Sequence, residues 1–491
     1  MKKIHIIGAG PGGLAAALLL QKQGYDVTLF EKDSRVGGRS KRITLGDYHF
    51  DMGPTFLMYI DLLKEVFIRA GFDLTKEVEL IQLETLYELV FKDKTIALTS
   101  NKEKNIDVYE AIKPGLGKSY QRWIIDQERK LKMIKPILEK PFPSIFHLLR
   151  KDVIKAAPVA HLGKSVYSLL ETYNKEPLFI HSLSFQAKYL GMASYQAPSI
   201  FTILPYLEHH TGLYHVRGGL NQINEVMAKL FIKLGGTLKL STPVKEIMID
   251  KKVVKGVILE NGEVELCDQL VMNADFAYGM TKLINPIHLK KYTPKKLAKK
   301  KYSVSTWMMY LGINKSLDFP HHEILFADDY DTYLHELMKG QITDDLAIYL
   351  HNPSALDDLL APKGKSSLFV LVPVPNLKSE IDFEAKKDDL RNLVLQRIKE
   401  KHGIDLTPFI EEELIYSPKD WEIKENVYQG AVFNLSHSLD QMLFLRPHNK
   451  FEDFKNMYLV GGGTHPGSGL PTIYQSALIV DELFKKQNKQ K

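Results

Sequence analysis

The hydrophobic pattern opens with a short run, Lys3 to Ile7, that reads as a buried strand leading straight into Gly8-Ala9-Gly10-Pro11-Gly12-Gly13. Leu14, Leu18, Leu19 and Leu20, with Ala15 to Ala17 between them, predict a helix with a small-residue face, ended by Gly24. Asp26 to Phe30 predicts a second strand. Such a β-turn-α-β unit sets its strands parallel with a right-handed crossover. A second region of like character begins near residue 213. There Leu220, Ile223, Met227, Leu230, Phe231 and Leu234 recur at helical spacing, and Gly235-Gly236 stops the helix. Strand-like segments follow at 244–249, 253–259 and 266–272. A last strand, Met457 to Val460, precedes Gly461-Gly462-Gly463. The final helix starts near Pro471 or Thr472 and runs towards Leu483, leaving Lys485 to Lys491 as a frayed basic tail.

The intervening segments differ. Residues 108–210 are mostly helical in pattern, whereas 300–420 alternate apolar runs with turns, as in Trp307 to Ile313 and Leu368 to Val374. Two stretches lack formal charge. Residues 4–21 superficially resemble a secretory signal, but their glycine-rich centre makes a poor apolar helix. Residues 189–207 contain Pro198 and Pro205, which argue against a spanning helix. They read as a buried, kinked helix; the sharper alternatives are an apolar wall beside a lipid-like ligand or a shallow membrane dip.

Composition narrows the class. Of 491 residues, 44% are hydrophobic and 25% charged, as in a soluble globular protein rather than a disordered or fibrous one. Lys and Arg number 65 against 59 acids, and a net charge of +6 over this length is too weak to argue for nucleic acid. The single cysteine, Cys267, admits no intrachain disulfide and no multi-cysteine metal site, in keeping with a reducing compartment.

Gly8, Gly10 and Gly13 form a G-x-G-x-x-G set in the context it needs, after a strand and before a helix. The first glycine permits the turn, the second lets a pyrophosphate approach the backbone, and the third lets helix and strand pack closely. Glu31 closes the second strand, 18 residues after Gly13, where an acid accepts both hydroxyl hydrogens of an adenosine ribose. Val36-Gly37-Gly38-Arg39 follows: its glycines let backbone lie against a flat ring or a diphosphate, and Arg39 can neutralise phosphate charge. Asp51-Met52-Gly53-Pro54-Thr55 occupies another strand-to-turn position.

With these segments the chain resembles FAD-dependent oxidoreductases of the glutathione-reductase-type nucleotide fold, in the amine-oxidase-like branch. Further matches are Val216-Arg217-Gly218-Gly219, Val244, Met272-Asn273-Ala274-Asp275, Arg446-Pro447-His448-Asn449 and the run from Tyr458 through Gly461-Gly462-Gly463-Thr464-His465-Pro466-Gly467-Ser468-Gly469-Leu470-Pro471. The last closely resembles the C-terminal signature of the carotenoid desaturases of the phytoene desaturase family, including bacterial C30 diapophytoene desaturases. The resemblance implies an α/β fold: a Rossmann FAD-binding domain from residues 1–80, 213–285 and 430–491. Into it are inserted an α+β substrate domain (81–107 and 286–429) and a helical, membrane-associated region (108–212). It implies that FAD is bordered by Gly37, Gly38, Arg39, Gly53 and Pro54, and that the backbone of Val244 meets the adenine. Many flavoproteins carry Asp where this chain has Gly462 or Gly463. That leaves flavin ribitol and phosphate to backbone amides, Thr464 and the helix start at Leu470 and Pro471.

The implied activity is desaturation of a C30 (4,4'-diapophytoene) or C40 (phytoene) polyene by hydride transfer to flavin, with oxygen or a quinone as final acceptor. Such a substrate has no polar handle, so its site is expected to be a long apolar tunnel. It resides in a bilayer, so a cytoplasmic enzyme has to touch an anionic membrane surface. Residues 129–164 suit that, with nine basic residues (Arg129, Lys130, Lys132, Lys135, Lys140, Arg150, Lys151, Lys155, Lys164), two acids, and Ile137, Phe142, Ile145, Phe146 and Leu148 among them. A second basic run spans Lys290 to Lys301. No catalytic acid or base stands out: His209 and His210, adjacent on a helix, point about 100° apart, and His465 reads as shaping its turn. The alternatives are a carotenoid terminal-methyl oxygenase, which Lys188 to Pro198 resembles as much as a desaturase, an amine or porphyrinogen oxidase, and a non-enzymatic prenyl-binding protein.

Overall fold

The computed structural model describes residues 1–489. Lys3–Ile7 and Asp26–Phe30 pair in parallel, Lys3 opposite Asp26, at the centre of a five-stranded parallel sheet. Its other strands, Thr237–Lys239, Gln269–Met272 and Met457–Leu459, come from far along the chain. Long separations are possible because a parallel strand needs only a neighbour of matching twist; Gln269–Met272 and Met457–Leu459 are buried throughout, whereas Thr237–Lys239 forms a partly exposed edge. Helix Pro11–Lys22 is buried from Pro11 to Leu20, hydrophobic all round, and packs against helices Asn221–Lys233 and Leu470–Lys489. The expected strand at 266–272 is broken: Val264–Leu266 edges a three-stranded antiparallel sheet with Val244–Asp250 and Val253–Leu259, and Gln269–Met272 enters the parallel sheet. The change of partner falls at Asp268, whose carboxylate accepts the Lys3 amide at 2.7 Å.

A seven-stranded, mainly antiparallel sheet is built from Thr85–Val90, Thr95–Thr99 and five strands between Ser305 and Tyr416. At its centre Ser305–Ile313 and Ser366–Val374 pair over their full length. Helices supply most of residues 102–211, the longest being Leu116–Leu138. No helix among the described residues is long and apolar enough to cross a membrane.

Three expectations change. Lys485–Lys489 continues the last helix, anchored where Lys485 donates to Asp481 at 2.7 Å; residues 490–491 lie outside the described residues. Residues 189–207 are not one kinked helix but two short 3-10 turns, Phe185–Leu190 and Ser199–Thr202, followed by helix Ile203–Thr211. Gly191, at φ 65°, ends the first turn and redirects the chain, and Pro198 caps the second. Lys130 leaves the basic surface: it is buried, donating to Thr202 Oγ1 at 2.8 Å and to the Ser199 carbonyl at 3.3 Å.

Candidate active site

A single cavity of about 560 Å³ runs from the carboxyl ends of the parallel strands to the helical layer. Its first end is walled by backbone. Gly8 has φ 95°, and its amide donates to the Phe30 carbonyl at 2.8 Å, tying the glycine turn to the second strand. A Cβ at Gly13 would lie 2.0 Å from the Gly8 carbonyl oxygen, so only glycine allows this helix to start there. Gly10 caps that helix without a side-chain bond, leaving first-turn amides free for an anion. Asn273 fastens the turn from the next strand, donating to the Gly8 carbonyl at 3.1 Å.

Glu31 is buried on the cavity wall and accepts from the Ala9 amide at 2.6 Å and the Asp33 amide at 3.0 Å. Burial pushes its pKa up, against the pull of these amides. Each carboxylate oxygen retains acceptor capacity for a ribose hydroxyl. Gly37 donates to the Ala9 carbonyl at 2.8 Å, so the two glycine turns clasp each other. Arg39 also lines the cavity, but its charge is already matched: it donates to Asp275 at 2.5 Å and to the Val432 carbonyl at 2.7 Å. Sequence left this guanidinium to phosphate; the structure gives it a carboxylate partner from the strand end at 273–275. A Cβ at Gly53 would lie 2.5 Å from the Arg39 carbonyl oxygen. Asp51 turns away from the cavity, taking the Leu220 and Asn221 amides at 2.8 and 3.0 Å and capping helix Asn221–Lys233.

Pro54, Val244, Gly462, Gly463, Leu470 and Pro471 all line the cavity with Gly8, Gly10, Glu31, Gly38, Arg39 and Gly53. Gly13 and Gly37 shape it from behind. Thr464 does not line it: its hydroxyl donates to the Pro447 carbonyl at 2.7 Å, and the residue is buried in the loop interior. A buried arginine that the sequence flagged without a role, Arg446, explains this loop. It donates to the carbonyls of Gly462 at 2.8 Å and Thr464 at 3.1 Å, which turns Thr464 inward. His465 bonds the Lys140 carbonyl at 3.1 Å, as a turn-shaping residue would, and does not reach the cavity. A cradle of glycine backbone, open helix amides and one buried, cavity-lining carboxylate fits a dinucleotide such as FAD.

The second end is walled by side chains. Phe56, Ile134, Leu138, Phe201, Leu204 and Tyr189 are among those that line it. Of residues 189–207, Tyr189, Leu190, Ile200, Phe201, Ile203, Leu204 and Leu207 line the cavity, and residues 191–199 do not. Polar groups also line the cavity, among them Thr55, Lys135, Glu139, His437 and Lys188. The Lys188 amine lies 5.2 Å from the Tyr330 ring and 5.9 Å from the Phe326 ring, and burial lowers its pKa to about 7. Sequence reasoning passed over it, because a single lysine at the edge of an uncharged run signals only a boundary. Behind the wall, Glu208 accepts from Tyr87 and Gln186, each at 2.9 Å, and burial raises it to about 7. His209 bridges Tyr87 and Tyr120 at 3.0 Å each, whereas His210 is exposed and stacks on Tyr206. The two histidines diverge as their adjacency requires.

Comparison with known proteins agrees with this arrangement. The family described as flavin containing amine oxidoreductase matches residues 11–480. A 4,4'-diapophytoene desaturase (4,4'-diapolycopene-forming) of a Methylomonas species is 41% identical over 99% of this chain and 96% of its own. The 4,4'-diaponeurosporene-forming enzyme of Staphylococcus aureus strain MRSA252 is 32% identical over 98% of this chain and 99% of its own. Among solved structures, an oxidoreductase from Methanosarcina mazei superposes with TM-score 0.67 at 15% identity, covering 98% of this chain and 100% of that one.

Proposed function

We propose a reaction for a chain that belongs, by a match over residues 11–480, to the flavin containing amine oxidoreductases: the FAD-dependent desaturation of a C30 diapophytoene-type polyene. The observation that carries it is the joining of a glycine-lined dinucleotide cradle to a long apolar chamber in one cavity. The similarity to named diapophytoene desaturases supports the same substrate class.

Bound flavin would supply hydride acceptance from carbon. The protein's share is to hold and orient. Glu31, the amides after Gly10, Gly38 and the loop at Gly462–Gly463 would hold the cofactor, with the helix at Leu470 and Pro471 closing beside it. The apolar wall holds a substrate by shape and excludes water. Loss of a hydride leaves a cationic carbon chain that must still give up a proton. Of the titratable groups that line the cavity, which include Lys135, Glu139 and His437, we assign this proton to Lys188, whose amine burial brings to about 7.

Access follows from the surface beside the chamber. Leu131, Ile134 and Leu138 on helix Leu116–Leu138 line the cavity, and the next segment exposes Ile145, Phe146 and Leu149, Phe146 to 76%. Lys140, Arg150, Lys151 and Lys155 lie close to them in sequence, Lys140 and Arg150 both pairing with Asp152. Exposed apolar side chains in a basic segment suit an anionic membrane surface, from which a polyene would pass to the cavity. The helical region is read here as a membrane-contacting insertion, and the seven-stranded sheet as the substrate domain. Co-expression with a C30 or C40 synthase tests the reading. Pigments that lose two hydrogens per step and absorb at longer wavelength support it; unchanged precursor, or an oxygenated product without new double bonds, overturns it.

A further inference from the structure

Three histidines remote in sequence meet at the seam between the strand Leu213–Val216 and the seven-stranded sheet. Their side chains each present a ring nitrogen, and these three nitrogens lie within 4.8 Å of one another: His215, His321 and His351. The His215 and His321 rings are 5.0 Å apart at 83°, and those of His321 and His351 are 4.8 Å apart at 88°. The rings meet edge to face, and the three nitrogens they bring together are close enough for one ion to reach all of them. The Nε2 atoms of His321 and His351 are 3.4 Å apart. That is long for a hydrogen bond, yet it matches the edge of a tetrahedron with metal–nitrogen bonds of about 2.0–2.1 Å, roughly 3.4 Å.

The surroundings complete the pattern. His215 Nε2 meets Asp357 Oδ2 at 2.9 Å, and that carboxylate also accepts the Gly218 amide at 2.6 Å and the Leu359 amide at 3.0 Å. A carboxylate that takes one ring N–H fixes the tautomer, so that the other nitrogen, Nδ1, is presented as a donor. We infer that His215, His321 and His351 form a site for a zinc-class divalent cation, oriented through Asp357. An all-imidazole set disfavours calcium and magnesium, which take oxygen ligands. Three protein donors leave one tetrahedral position for water.

The placement gives such an ion a structural consequence. Asp357 holds Gly218, in the turn that leads into helix Asn221–Lys233. On the other side His322, paired with His351 across the sheet, bonds the Tyr349 hydroxyl at 2.8 Å, and Tyr349 meets Thr55 at 2.6 Å on the cavity wall. A cation there would lock the seam beside the apolar chamber without touching it.

The test uses flavin-loaded, untagged protein, first treated with chelator and then titrated with cobalt(II) and zinc(II). One equivalent retained through desalting, a tetrahedral cobalt band displaced by zinc but not magnesium, and a raised Tm are expected. His351→Gln and His215→Gln should keep the flavin spectrum and lose retention, and Asp357→Asn should weaken affinity by about 10–100-fold. Absence of the cobalt band in wild type overturns the site, as does a band unchanged in both histidine variants. Should those variants fail to take up flavin, copper(II) spin resonance of the wild type decides: imidazole nitrogen couplings support the site, and their absence removes it.

Discussion

At one end of the cavity the wall is main chain; at the other it is side chain. The cradle places Gly8, Gly10, Gly38 and Gly462 against whatever binds, and apart from Glu31 and Arg39 its polar groups are mainly amides and carbonyls whose positions are set by hydrogen bonds such as Gly37 to Ala9. The chamber draws Phe56, Ile134, Phe201 and Leu204 from segments with no common pattern, and shapes space by volume. A backbone wall tolerates almost no substitution at the close approaches and has little scope for retuning. A side-chain wall can change length and width one residue at a time, so specificity for polyene length belongs there.

The largest contrast should come from paired glycines. Gly13→Ala pushes a Cβ to 2.0 Å from the Gly8 carbonyl oxygen, with the Asn273 side chain 3.1 Å away. Loss of soluble, flavin-bearing protein is expected, read by yield and flavin absorbance. In Gly10→Ala the added carbon meets only the Asn273 amide, at 3.0 Å, and faces the cavity. That variant should fold with a far-ultraviolet dichroism spectrum like wild type and still fail to retain flavin. Equal soluble yield and equal dichroism in the two, or flavin retained by Gly10→Ala, would break the distinction between a packing glycine and a contact glycine.

Lys188→Met should come next. It keeps chain length and removes the amine, so flavin content holds while desaturation falls by roughly 100-fold or more. The pH profile gives the sharper reading. The base is the neutral amine, so the wild-type rate should rise with pH through about 7 and level off above it. The variant should lose that limb. A variant with wild-type rate, or one that keeps the limb, removes Lys188 from proton transfer.

A smaller effect is expected deep in the chamber. Leu204→Trp fills space without touching the cradle. Turnover of the full-length polyene should drop by about 10-fold, as overpacking of this kind costs a few kcal/mol at most. Products should stop at fewer double bonds, visible as absorption at shorter wavelength with unaltered flavin content. An unchanged product series would place the polyene elsewhere.

The same division governs what the sequence could reveal. Backbone sites require glycine at fixed spacings, so Gly8, Gly10, Gly13, Gly37 and Gly38 could be read directly, as could the strand and helix that follow from periodicity. Arg39 shows the limit: its residue type was legible, but its partner Asp275 lies 236 positions away. Thr464 fell outside the cavity because Arg446, buried and donating to four carbonyls, sets the loop's direction through contacts without a local pattern. Lys188 and the three-histidine cluster were illegible for the same reason. Each depends on which strands and turns meet, and single residues far apart carry no periodic signal.

The proposed membrane face extends the comparison to the outside of the molecule, where side chains again do the work and the effects are smallest. Phe146 and Leu149 are exposed to 76% and 73% on a short 3-10 segment, so replacing them costs the fold almost nothing. Each serine substitution should weaken binding to anionic vesicles by about 10-fold, from the roughly 1–2 kcal/mol that burying such a side chain in lipid contributes. Sedimentation with vesicles measures it. Binding to neutral vesicles should be weaker at the outset, and raising salt should erode only the anionic component, because screening acts on Lys151 and Lys155 and leaves the apolar contact intact. Activity on substrate delivered in detergent should remain that of the wild type, since neither side chain lines the cavity. A fall in detergent activity equal to the fall in vesicle binding would mean that this segment shapes the chamber itself rather than its approach.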